Sequence, residues 1–144
     1  MKNRGFSLME LMIVVAIIMI LGGGGIWTLK DRLYKNEIIR MKSVIPTLLN
    51  TGALRVYEKG SSGAVLTASG SSISISNVGS GMEVESRIFT FSTSGAAVNR
   101  EINDLGGFKG DFDILVKDKN SNDVMTVEIR TKSSFGVFRV DVID

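Results

Sequence analysis

The chain has no cysteine and no histidine. The first absence removes any disulfide framework and any thiolate metal site, and leaves the compartment open. The second removes the commonest general base and the commonest metal ligand. An enzyme built on this sequence would rely on carboxylates, Lys, Tyr or Ser alone. No Ser–base or paired-carboxylate constellation can be assembled, so catalysis is not expected. Charge of one sign is scarce as well. The formal net charge is +2. Without Lys2 and Arg4 the basic side chains fall from 17 to 15, equal to the 15 acidic ones, which leaves no overall pull on nucleic acid.

No cofactor is expected either. Gly22–Gly25 is not followed by Gly-Lys-Ser/Thr, and Gly60-Ser61-Ser62-Gly63 has no strand before it and no helix after it, so neither makes a phosphate loop. Asp111, Asp113 and the Asp118–Asp123 loop lack the Gly and final Glu of an EF-hand. They are expected to be solvated turn carboxylates, with no metal site. The basic residues Lys109, Lys117, Lys119, Arg130, Lys132 and Arg139 are interleaved with acids, and the aromatics fall in alternating core positions rather than on exposed platforms. Direct DNA binding is therefore the minor alternative.

What the chain does have is an asymmetric distribution of apolar residues. Leu11–Leu21 is an unbroken apolar run of 11 residues, and Phe6 to Leu29 contains a single ionisable side chain, Glu10. At 1.5 Å per residue such a helix reaches about 36 Å, enough to cross a bilayer core with some tilt. Taken alone, the run fits a secretory signal peptide or a plain membrane anchor. Glu10 fits neither, because a charge in that position costs about 2.5–3.5 kcal/mol on insertion scales. Lys2 and Arg4 on one flank are matched by Lys30, Arg32 and Lys35 on the other, so the positive-inside rule does not decide the orientation.

Gly5-Phe6-Ser7-Leu8-Met9-Glu10, followed by the apolar run, resembles the class III signal of type IV prepilins and pseudopilins. The resemblance implies cleavage after Gly5 by a prepilin peptidase on the cytoplasmic face, N-methylation of Phe6, and assembly through Glu10. In that family the Glu is thought to pair with the amino terminus of a neighbouring subunit. A new α-amine on Phe6 is cationic at neutral pH, and a buried carboxylate requires such a partner. The implied partners are prepilin peptidase, other pilin or pseudopilin subunits, an inner-membrane assembly platform and membrane lipid. The implied location is the cytoplasmic membrane, single-pass with the head extracytoplasmic, and then the pilus or pseudopilus.

The expected organisation is a leader at 1–5, an apolar membrane and assembly helix at 6–29, an amphipathic helix at 30–58 and a β-rich head at 59–144. The fold class is α+β, with one helix from about Ser7 to about Tyr57 packed on an antiparallel β-sheet or small β-sandwich. Ile26, Leu29, Leu33, Ile38, Met41, Ile45, Leu48 and Leu49 form one stripe, expected to pack on the head. Four consecutive glycines at Gly22–Gly25 weaken the helix by about 1 kcal/mol each relative to Ala. They predict either a flexible joint or close helix packing, and Pro46 predicts a kink. Strict alternation at Ser71–Asn77, Phe112–Lys117, Met125–Arg130 and Phe138–Val142 predicts half-exposed strands, the last three as a meander. Met82–Ser92 alternates less cleanly, which predicts a bulge or a change of face near Arg87. Ile88-Phe89-Thr90-Phe91, Ser94-Gly95, Val127-Glu128-Ile129 and Gly136-Val137-Phe138-Arg139-Val140 are similar in order and spacing to the GspH/FimT group of minor pseudopilins and minor pilins. The function implied is a minor pseudopilin or minor pilin of a type II secretion pseudopilus or type IV pilus. The alternatives are a DNA-uptake minor pilin of a competence pilus and a plain membrane-anchored protein.

Overall fold

The computed structural model describes residues 7–60, 63–79, 82–94, 99–132 and 137–143, with the backbone alone at 24–27. It has one helix, α1 (Leu8–Lys59), followed by eight strands: β1 (Ala64–Ser69), β2 (Ser72–Ser76), β3 (Glu83–Glu85), β4 (Thr90–Thr93), β5 (Asn99–Ile102), β6 (Phe112–Lys117), β7 (Asp123–Thr131) and β8 (Phe138–Ile143). The chain divides into two compact units, Met1–Ile38 and Ile39–Asp144, and α1 contributes to both.

In the first unit α1 is helical throughout, including Gly22–Gly25. The glycines lower helix propensity without breaking the backbone ladder, which the apolar turns before them and the amphipathic turns after them continue. Leu29 and Leu33 of the expected stripe are 58% and 53% exposed. Ile26 lies outside the described side chains, and among the described residues of the stripe Met41 is the first that is buried.

In the second unit, Met41, Ile45, Leu48, Leu49 and Val56 of α1 are buried at helical spacing. α1 continues through Pro46, which has no N–H to donate into the helical ladder. Around it, Thr47 Oγ1 donates to Ser43 O at 2.7 Å and Ser43 Oγ donates to Arg40 O at 2.9 Å. Gly52 lies against β2: a Cβ there would collide with Ile75 Cδ1. Gly106 lies under the helix with φ +79°, and an added Cβ would sit 2.5 Å from the Ala53 carbonyl oxygen. Both the left-handed backbone and the backbone contact exclude a side chain. Gly106→Ala is expected to lower stability by about 2–3 kcal/mol, the sum of φ strain and a clash that rigid backbone cannot relieve. Denaturant unfolding of the full chain in detergent checks this, and a change within about 0.5 kcal/mol, the usual range for a surface substitution, would contradict it.

The strands form two antiparallel four-stranded sheets, ordered β3-β2-β1-β5 and β4-β6-β7-β8. The inner faces are filled by the alternating residues: Leu66, Ile73, Ile75, Val84 and Ile102 in the first sheet, and Phe91, Phe112, Ile114, Val116, Met125, Val127 and Ile129 in the second. The meander β6-β7-β8 is as the alternation predicts. Asp118 closes its first turn by accepting from Asn120 N (2.7 Å) and Asn122 N (2.9 Å), with Ser121 at φ 64°. Hydrogen bonds from Asn122 hold the Asp118 carboxyl below its ordinary range.

The irregular stretch near Arg87 is a change of sheet. β3 ends in one sheet and β4 begins in the other. Ser86, 4% exposed, makes the corner: its N–H donates to Ser71 O (2.9 Å), and its Oγ accepts from Ile88 N (3.2 Å) and Phe89 N (3.1 Å). Phe89 fills the space beside it, 1% exposed. The sheets meet where Phe91 N donates to Gly70 O at 2.7 Å.

Candidate assembly segment

α1 begins at a side-chain cap. Ser7 Oγ accepts from Met9 N at 3.3 Å, and Ser7 O accepts from Glu10 N (3.0 Å) and Leu11 N (3.1 Å). Ser7 is thus the N-cap and Glu10 the third helical residue, the spacing of a Ser-x-x-Glu capping box. The sequence pattern carried this signal, and the prepilin resemblance, which singles out Gly5, Phe6 and Glu10, passes over Ser7. A carboxylate in the first turn also faces the positive end of the helix dipole. Among the described residues Glu10 makes no ion pair, and it is exposed.

Gly5 and Phe6 lie outside the described residues. Beyond Glu10, every large apolar side chain from Leu11 to Leu21 is at least 41% exposed, and Leu8 reaches 77%. A core helix of a water-soluble protein would bury such a surface. Here the helix is long and apolar enough to cross a membrane, and its most apolar window is entirely unburied within the chain.

Several titratable groups of the head are engaged in ion pairs or hydrogen bonds. Arg130 joins Asp113 (2.6 Å) and Glu128 (3.0 Å), which raises its pKa further above the ordinary arginine value. Asp111 accepts from Thr131 N and Oγ1, both at 2.7 Å, and these bonds lower its pKa. Lys109 pairs with Glu101 (3.6 Å), Lys117 with Asp123 (3.4 Å) and Arg139 with Asp141 (2.8 Å). Among the described residues no group of three His, Cys, Asp or Glu side chains is arranged to hold a metal ion. Four exposed apolar side chains, Leu54, Tyr57, Leu105 and Val137, line a groove of about 340 Å³.

A capped apolar helix at the amino terminus, exposed over its described residues 8–23, is followed by a β-rich head, and such a helix fits a membrane anchor. A sequence model of the prokaryotic N-terminal methylation motif matches residues 1–26. Over those 26 residues the chain is similar to the type IV prepilin-like family. That family consists of structural subunits processed by prepilin peptidase and assembled with other pilin subunits, and the motif with its helix fits an inner-membrane anchor. Comparison with curated proteins and with solved structures gives no match.

Proposed function

We propose that the protein is a minor pseudopilin or minor pilin, cut after Gly5 by prepilin peptidase, methylated on Phe6 and incorporated into a pseudopilus or pilus. The head, whose sequence motifs are similar in order and spacing to those of the GspH/FimT group, gives the subunit its specificity on the extracytoplasmic side. Glu10 neutralises the amine of Phe6 on a neighbouring subunit and so sets register. The observation that carries this reading is the methylation motif at residues 1–26, set on a helix that the chain itself leaves uncovered. A DNA-receptor role draws no support from the head, where Lys109, Lys117, Arg130 and Arg139 all have carboxylate partners.

Intact mass of the chain co-expressed with a prepilin peptidase tests the reading. The expected mass lacks Met1–Gly5 and gains one methyl group. A full-length mass, obtained with a peptidase active on a known substrate, would reduce the protein to a plain membrane anchor.

A further inference from the structure

The second sheet ends at β8, and among the described residues no strand lies beyond it. Lys132 donates its N–H to Val137 O at 3.0 Å. Residues 137, 139, 141 and 143 therefore turn their backbone groups toward β7, and Phe138, Val140 and Val142 turn theirs outward. None of these side chains is buried, and Val137 and Ile143 at the two ends are 56% and 47% exposed.

The charges along this edge conflict within one chain. Glu128 stands opposite Asp141, and Arg130 opposite Arg139. Like charges directly opposed on one sheet face are destabilising. Arg139 and Asp141 relieve part of this by pairing along the strand at 2.8 Å.

We propose that β8 is a self-complementary interface, which a second copy of this chain completes by adding its own β8 antiparallel about a two-fold axis at Val140. In that register Arg139 faces Asp141 of the second copy, and Val137 faces its Ile143. Phe138 faces Val142 of the second copy, and Val140 faces its own counterpart. The register agrees with the backbone, because Phe138, Val140 and Val142 are the residues whose N–H and C=O groups point outward; their three pairs close about six hydrogen bonds. Edge charges normally block strand addition. Here opposite signs two residues apart favour this arrangement over a parallel in-register copy, which would set Arg139 against Arg139. The contact is isologous and closes at two copies. It does not depend on processing of the amino terminus.

Because the chain has no cysteine, Val140→Cys places a single thiol on the proposed axis, where paired Cα atoms about 5.5 Å apart lie within disulfide range. Mild oxidation of the full-length variant in detergent is expected to give a covalent dimer of twice its mass. Adding Arg139→Asp or Asp141→Arg should lower the dimer yield at least about tenfold, and adding both should restore it. Sedimentation of the same charge variants without the thiol should show the same order, which separates loss of pairing from loss of folding. No homodimer from Val140→Cys, an adduct with a different protein in its place, or single and double charge swaps that behave alike would each overturn the proposal.

Discussion

Glu10→Ala is expected to leave prepilin cleavage intact and to lower the number of copies in purified filaments at least about tenfold. A lone carboxylate in the apolar segment costs about 2.5–3.5 kcal/mol to insert, so its loss favours the membrane-inserted precursor. In the filament the same change strands the partner amine: removing one side of a buried charge pair costs about 2–5 kcal/mol. The expected sign is thus opposite in membrane and filament. Glu10→Gln, which keeps shape and loses charge, is expected to behave as Ala does. Immunoblotting of filaments against the membrane fraction reads the partition. Equal incorporation of all three chains would leave Glu10 only its local place in the first turn beside Ser7, and the register role would fall.

The second large effect is expected in the head. Phe89→Ala should lower stability by about 3–5 kcal/mol, the range for emptying an aromatic from a closed core. Phe89 is 1% exposed and sits where the chain passes from one sheet to the other, with its N–H held by Ser86 Oγ. Ser86→Ala removes that acceptor from two backbone donors and is expected to cost about 1–3 kcal/mol. Denaturant unfolding of the full chain in detergent compares the two. A loss below about 1 kcal/mol at Phe89 would mean that the corner repacks without it.

Much of this was legible in the sequence, and what was not has physical causes. Ile73 and Ile75 against serines mark β2 plainly, because branched side chains between small hydroxyls leave one reading of the period. β1 has the same period, but Ala64 and Ala68 are too small to stand out beside Val65 and Thr67. β5 has no visible period, since only Ile102 of Asn99–Ile102 is buried, and it is recruited by pairing with β1. The disturbed alternation near Arg87 is visible in sequence, but a change of sheet and a bulge disturb the period alike. Periodicity marks an apolar stripe on α1 but does not say what covers it: Met41 and Ile45 are buried, while Leu29 and Leu33 are exposed. At the amino terminus the prepilin pattern was legible because processing requires its residues at fixed offsets. The cap at Ser7 was written in the same six residues.

The corner at Ser86 also bears on the order in which the head can be built as the chain is synthesised. β6, β7 and β8 pair with their sequence neighbours, so most of the second sheet can zip through short turns. The first sheet cannot finish locally. Ala64 pairs with Ile102, and the chain between them must leave for the other sheet and return before that edge closes. Each doubling of such a loop adds only about 0.6 kcal/mol of closure entropy, so the demand is one of timing more than of stability. Until Ile102 has emerged, β1 presents a bare edge. A head whose synthesis has stalled before that residue is the form of this protein most open to proteases.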